Sequence, residues 1–268
     1  MSMPWGVRLW MALVLAFLYL PVAALVLAAV NDTTLPGQWG GFTWRWFKLL
    51  AHDHELLGAL VVSLGIALCT ATGATLLGTL AALALVRHPQ LAGHTLLLGL
   101  LSAPLMLPRL VLGLSMLLML VSVQHLSGWP ERGWMTIWLG HLLVGMAYAT
   151  VLIQARLRTL DPGLEEAALD LGARPWQAFR LVTLPQLWPS VLSSWLLTFT
   201  LSMDDVVLAA FLAGPGATTL PLVVFARARQ GLDPSVNALA TVVLAVVAVG
   251  VVLAAYWLAR QDARRRPV

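Results

Sequence analysis

The chain has 268 residues, 60% of them hydrophobic and only 10% charged, with a formal charge of +4. A water-soluble domain carries about 25% charged residues. One large soluble core is therefore excluded, and the long apolar blocks point to lipid as the solvent. The single cysteine, Cys69, excludes an internal disulfide framework or a thiolate metal site.

The first apolar run, residues 9–30, follows Arg8 like the core of a signal peptide. Apolar sequence continues past Pro21, giving about 22 residues, enough to cross a bilayer, so a retained first helix is expected. Residues 31–56 hold Trp39, Trp44 and Trp46, and FTWRWFKLL is expected to lie flat at the outer interface. His52 and His54 have no evident third partner, and the other histidines are scattered, so no metal site is expected.

The second run, residues 57–86, contains Ser63, Gly65, Thr70, Thr72, Gly73, Thr75, Gly78 and Thr79. Small and hydroxyl side chains permit close helix contact, so this span is expected to be surrounded by other helices. The third run, residues 95–123, is interrupted by Pro104 and Pro108, which predict a bend or a break. Such a break lines a pathway in some transporters and is a plain kink elsewhere. The fourth run covers residues 134–155 and the fifth 189–213. Residues 214–234 read as a re-entrant or surface helix, or as a cap on the neighbouring spans. The sixth run, residues 235–259, precedes the basic end RQDARRRPV, which suits lipid headgroups better than nucleic acid. Backbone groups in lipid must bond within each span, so the fold class is an all-α membrane protein with six transmembrane helices.

Placing both termini in the cytoplasm puts Arg8, Arg87, Arg156, Arg158, Arg174, Arg180, Arg260, Arg264, Arg265 and Arg266 inside. Only Arg45, Lys48, Arg132, Arg227 and Arg229 then lie outside, so the basic residues favour an N-in, C-in arrangement.

Asp204 and Asp205 fall in the fifth run, where a carboxylate is costly and so rarely idle. They suit a pathway for a cationic solute; a cap or a salt bridge to another helix is the structural alternative. Neighbours on a helix point about 100° apart, so the two cannot face the same way. Arg109, after Pro108, pairs with one of these acids or snorkels to the outer face.

The longest inside loop is residues 156–188, RLRTLDPGLEEAALDLGARPWQAFRLVTLPQLW. Asp161 suits an N-cap and Pro162 the first helical position. Glu165 and Glu166 lie where negative charge is favoured, and Gly172 offers a stop. A second short helix is expected from Pro175 to Pro185. Four arginines balance four acids in this loop, which disfavours a plain lipid anchor and favours a protein-docking element.

The spacing of Glu166, Ala167, Ala168, Gly172, Val182, Leu184 and Pro185 resembles the EAA signature of ABC importer permeases. GWPERGWMTIWLGH (128–141), the stretches 156–173 and 197–231, and NALAT (237–241) extend the resemblance across almost the whole chain. They are similar to the polyamine permeases of the binding-protein-dependent family, those for putrescine above all. The resemblance implies a MetI-like fold over residues 1–268, with core spans at about 57–259 and a first helix that wraps a partner. It implies a coupling loop at 156–188 that docks on an ATPase through Glu165, Glu166, Ala167, Ala168, Gly172 and Pro185. It further implies a second permease subunit, two ATPase copies that bind ATP and magnesium, a periplasmic binding protein and a polyamine cargo. No cofactor is expected on this chain, and no catalysis by it.

Among these relatives an acid is expected after Pro108, and Arg109 reverses that charge, leaving room for another small polar solute. No Walker A loop is present, so ATP hydrolysis falls to a partner. A membrane enzyme would need a converging Asp/His or Ser/His set, which the sequence does not show. A secondary transporter would use Asp204 and Asp205 for ion coupling, but has no need of the EAA loop. A purely structural subunit has no need of intramembrane acids.

Overall fold

A computed structural model describes residues 4–265 apart from 36, 91 and 232. Among the described residues the chain is helical throughout, with one isolated bridge between Asn31 and Phe42. Two compact units divide it, residues 58–225 and residues 1–57 with 226–268.

The second of these units holds α1 (Trp5–Ala29), α2 (Arg45–Ala51) and α12 (Pro234–Arg265), with α1 and α2 each packed on α12. Most apolar side chains of α1 stay uncovered, Trp5 at 81% and Phe17 at 77% exposure, as a lipid solvent permits. The turn between α1 and α2 closes on Asn31, whose side chain donates to the Gln38 carbonyl and accepts from the Gly40 amide. The Trp46 indole donates to the Asn31 carbonyl at 2.7 Å.

Arg227 ties three acids together in this unit. Its guanidinium bonds Asp53 at 2.6 Å, Glu55 at 2.6 Å and Asp233 at 3.0 Å. The Arg227 hydrogen bond holds the Asp53 carboxyl below the usual aspartate range. Burial pushes Asp233 up, but the Ser235 hydroxyl and amide, with Arg227, outweigh it and leave that carboxyl lowered.

The larger unit runs from α3 (His54–Arg87) through α4 (His94–Met106), α5 (Arg109–Ser127) and α6 (Trp134–Leu157). Then come α7 (Pro162–Asp170), α8 (Pro175–Ala178), a π-helical turn at Phe179–Thr183, α9 (Leu184–Met203), α10 (Val207–Leu212) and α11 (Leu220–Gln230), which passes into the smaller unit at residue 226. Ile66, Leu112, Met116, Ile137, Val144, Leu208 and Leu212 form its main core. A smaller core joins Ala82, Ile153, Leu157 and Leu187.

The second span, α3, is partly enclosed by other helices, and α6 is more so. The most apolar stretch of α6 is 56% buried, against 39% for α3. Small residues still bring the two together. A Cβ on Gly78 would lie 2.7 Å from the Ala149 Cβ, and one on Gly145 3.0 Å from that of Ala74.

Five helices among the described residues are long and apolar enough to cross a membrane: α1, α3, α5, α6 and the Pro234–Leu253 stretch of α12. The expected third span is two helices. Pro104 sits inside α4 without ending it, whereas Pro108 caps α5, and Leu107 is extended between them. Pro108 has no amide hydrogen to continue α4, and it disfavours helical backbone at Leu107.

The expected fifth span, 189–213, is likewise two helices, α9 and α10, with residues 204–206 between. The apolar signal of α9 is diluted by Ser194, Thr198 and Ser202, all buried against neighbouring helices. The second short helix was expected to end at Pro185. Instead α8 runs through the π turn into α9, and Pro185 lies in the first turn of α9. There a proline costs little, and the wider π turn upstream adjusts the helix register.

Candidate functional site

Two clusters in the larger unit carry the polar chemistry. The first lies where the two helix breaks meet, because α5 and α10 pack together. Arg109 opens α5 and Asp205 lies in the 204–206 break, and their side chains form an ion pair. The Asp205 side chain is 2% exposed and that of Arg109 36%. The second Asp205 oxygen accepts from the Leu208 amide at 2.7 Å, as a cap on the first turn of α10. Asp204, one residue earlier, closes α9 and is exposed.

His141 of α6 completes this cluster. Its Nε2 is 3.9 Å from Asp205, and its Nδ1 lies 2.7 Å from the Ser202 hydroxyl. Nε2 has no hydrogen-bond partner among the described residues. His141 lines a cavity of about 10 Å³ together with Arg109, Thr198, Ser202 and Asp205. That is about the space of one water molecule. The arrangement is a buried, neutralised carboxylate at the junction of two interrupted helices.

The second cluster is built on the EAA segment. The Asp161 side chain caps α7 by accepting from the Gly163 amide at 2.9 Å. Gly172 has φ +88° and closes the helix, its amide donating to the Leu169 carbonyl while the Ala173 amide donates to that of Ala168. A side chain at that φ would be strained, so glycine belongs there. Glu165 turns inward to Arg87, with bonds of 2.5 and 2.7 Å, and accepts from the Thr183 hydroxyl at 2.6 Å. Glu166 and Ala167 face outward, and Ala168 is half-buried. A cavity of about 220 Å³ lies beside Arg87, Leu157, Asp161, Glu165 and Gln186.

The structure thus brings Arg109 to Asp205 and separates Asp204 from both. His141, Ser202, Arg87 and Thr183 were not singled out by the sequence reading. An ionisable His141 within an apolar run was the available signal. Arg87 had counted only as an orienting charge, and nothing local linked it to a residue 78 positions away.

Residues 74–267 match the family of binding-protein-dependent transport system inner membrane components. The putrescine transport system permease protein PotI of Escherichia coli K12 is 44% identical over 98% of this chain and 93% of its own length. The spermidine/putrescine transport system permease protein PotC of the same strain is 35% identical over 95% and 94%. A bacterial alginate ABC transporter, crystallised with its alginate pentasaccharide-bound periplasmic protein, shares the fold. That match has a TM-score of 0.71 at 15% identity, over 96% of this chain and 94% of the other. The chain therefore belongs to the binding-protein-dependent transport system inner membrane component family, as a multi-pass, non-catalytic permease subunit of an ABC importer in the inner membrane.

Proposed function

We propose that the chain forms half of the translocation pathway of an ATP-driven importer that moves putrescine or a related polyamine from periplasm to cytoplasm. The observation that carries the cargo reading is the buried Asp205 carboxylate at the paired helix breaks. A carboxylate held in a membrane-embedded break suits the ammonium of a small dication. The full-length likeness to permeases named for putrescine and spermidine supports it.

In this reading the chain crosses the membrane six times with both termini in the cytoplasm, as a single permease domain over residues 1–268. The α4–α5 and α9–α10 pairs each make one interrupted span. Core spans run over about 57–259, and residues 156–188 form the coupling loop. The outward α7 face docks on one of two ATPase copies, which bind ATP and magnesium. A second, different permease subunit and a periplasmic binding protein complete the assembly.

Arg109 favours a second reading. The guanidinium neutralises Asp205, so the site is an ion pair rather than a bare acid. Another small polar solute, one able to exchange for either partner of that pair, fits it as well.

Uptake of labelled putrescine and spermidine by the assembled complex tests this. Asp205→Asn should lower uptake by roughly tenfold or more, the loss of about one charge-assisted hydrogen bond. Asp204→Asn should change it little, because that side chain lies outside the cluster. Unchanged uptake with both acids replaced overturns the acidic site. Failure of the chain to co-purify with an ATPase overturns the docking of the loop.

A further inference from the structure

Arg87 is the last residue of α3, where the helix dipole favours a cation. The α7 segment is covalently joined to α6 on one side and, through α8 and the π turn, to α9 on the other. It has no such link to α3. The side chains supply one. Arg87 Nη2 donates to both Glu165 oxygens, and its guanidinium lies over the Phe179 ring at 5.5 Å. The Thr183 hydroxyl donates to the same carboxylate. Phe179 and Thr183 are the first and last residues of the π turn. One carboxylate therefore joins α7 to the end of α3 and to the root of α9.

Apart from Ala168, the rest of α7 is exposed and can meet another surface. Leu164 is 49% exposed and Leu171, just past the helix, 90%. Glu165 and Ala168 form the inward edge. The segment thus has a face for docking and an edge for transmission, and the acid adjoining the EAA triplet belongs to the second.

We propose that Arg87, Glu165 and Thr183 form a strut that carries displacement of the docking loop into α3 as well as α9. The strut rests on the reading of residues 156–188 as the ATPase-docking loop. Arg87 and Glu165 are positioning residues: neither needs to touch cargo or nucleotide. A push on α7 either moves both spans together or breaks charge-assisted bonds to one carboxylate. A lysine at position 87 would keep the charge but lose the planar face over Phe179 and the fork geometry.

The test uses the complete importer in proteoliposomes, with solute moved per ATP hydrolysed as the readout. Arg87→Met should retain the ATPase on co-purification and hydrolyse ATP, yet move roughly fivefold less solute per ATP. Arg87→Lys should fall between Arg87→Met and wild type. The exchange of charges, Arg87→Glu with Glu165→Arg, should recover part of the lost solute per ATP with the ATPase still bound, since it restores the ion pair but not the stack on Phe179. Leu171→Glu on the outward face should instead release the ATPase. A wild-type ratio in Arg87→Met, with the ATPase still bound, overturns the strut alone. An ATPase that stays bound to Leu171→Glu overturns the docking reading and the strut with it. Where Arg87→Met inserts poorly, Arg87→Lys and the charge exchange give the same decision.

Discussion

Removing Arg109 should destabilise the protein more than removing the charge of its partner. The Asp205 side chain is 2% exposed and cannot move, because the Leu208 amide holds its other oxygen and His141 and Ser202 crowd it. Arg109→Met strands that carboxylate in a buried site with room for about one water molecule. Breaking a buried pair in this way costs about 3–5 kcal/mol. Asp205→Asn keeps the shape and the oxygen that accepts from Leu208. The stranded guanidinium is 36% exposed on a long stem and can swing toward the headgroups. With that relief the cost falls to about 1–2 kcal/mol. For a chain of this size each kcal/mol shifts the unfolding midpoint by about 2 °C. Thermal unfolding in lipid nanodiscs, followed by tryptophan fluorescence, should then place Arg109→Met about 6–10 °C below wild type and Asp205→Asn about 2–4 °C below. The double variant should lose less than the sum, by about 1–3 kcal/mol, since both charges are gone. An equal or larger loss in Asp205→Asn, or simple additivity, refutes the argument from burial.

Gly78→Ala should cost about 1–3 kcal/mol by overpacking, because the new methyl would meet Ala149 and the Thr150 backbone at 2.7 and 2.9 Å. Gly99→Ala, with open space around it, should be neutral or gain up to about 1 kcal/mol in the same unfolding assay; equal losses at both positions would refute the close approach of α3 and α6. The Arg227 cluster makes stability depend on pH. Asp53 and Asp233 are both held below the ordinary value of 3.8, so their contribution is complete above that pH and lost as the pH falls below it. Arg227→Gln should therefore be less stable at neutral pH by roughly 2 kcal/mol, with the two unfolding curves converging in acid. A gap that stays constant down to pH 2 would show that the pairs with Arg227 do not carry it.

Much of the architecture was legible in the chain. The first, second, fourth and sixth apolar runs became α1, α3, α6 and α12, with ends within a few residues except that α12 runs on to Arg265. Lipid demands long uninterrupted apolar stretches, and nothing about their partners is needed to see them. The loop was equally readable up to Gly172, since Asp161, Pro162 and Gly172 each act on their own backbone. Neighbouring helices decided the rest. Pro104 and Pro108 look alike in sequence, yet only Pro108 breaks the helix. Pro185 has the local look of a terminator but is a first-turn residue, because α8 and the π turn feed directly into α9.

Glu165 and Glu166 are adjacent and chemically identical, and so are Asp204 and Asp205. Local pattern treats each pair as one feature. Packing turns Glu165 to Arg87 and leaves Glu166 outward; it buries Asp205 against Arg109 and leaves Asp204 exposed. The apolar runs, the loop spacing and the presence of costly intramembrane charges are properties of the chain, because hydropathy and backbone chemistry act residue by residue. Which charge meets which is a property of the fold. Electrostatic pairing acts over a few ångströms between residues 78 and 96 positions apart, and only tertiary packing brings them within that distance.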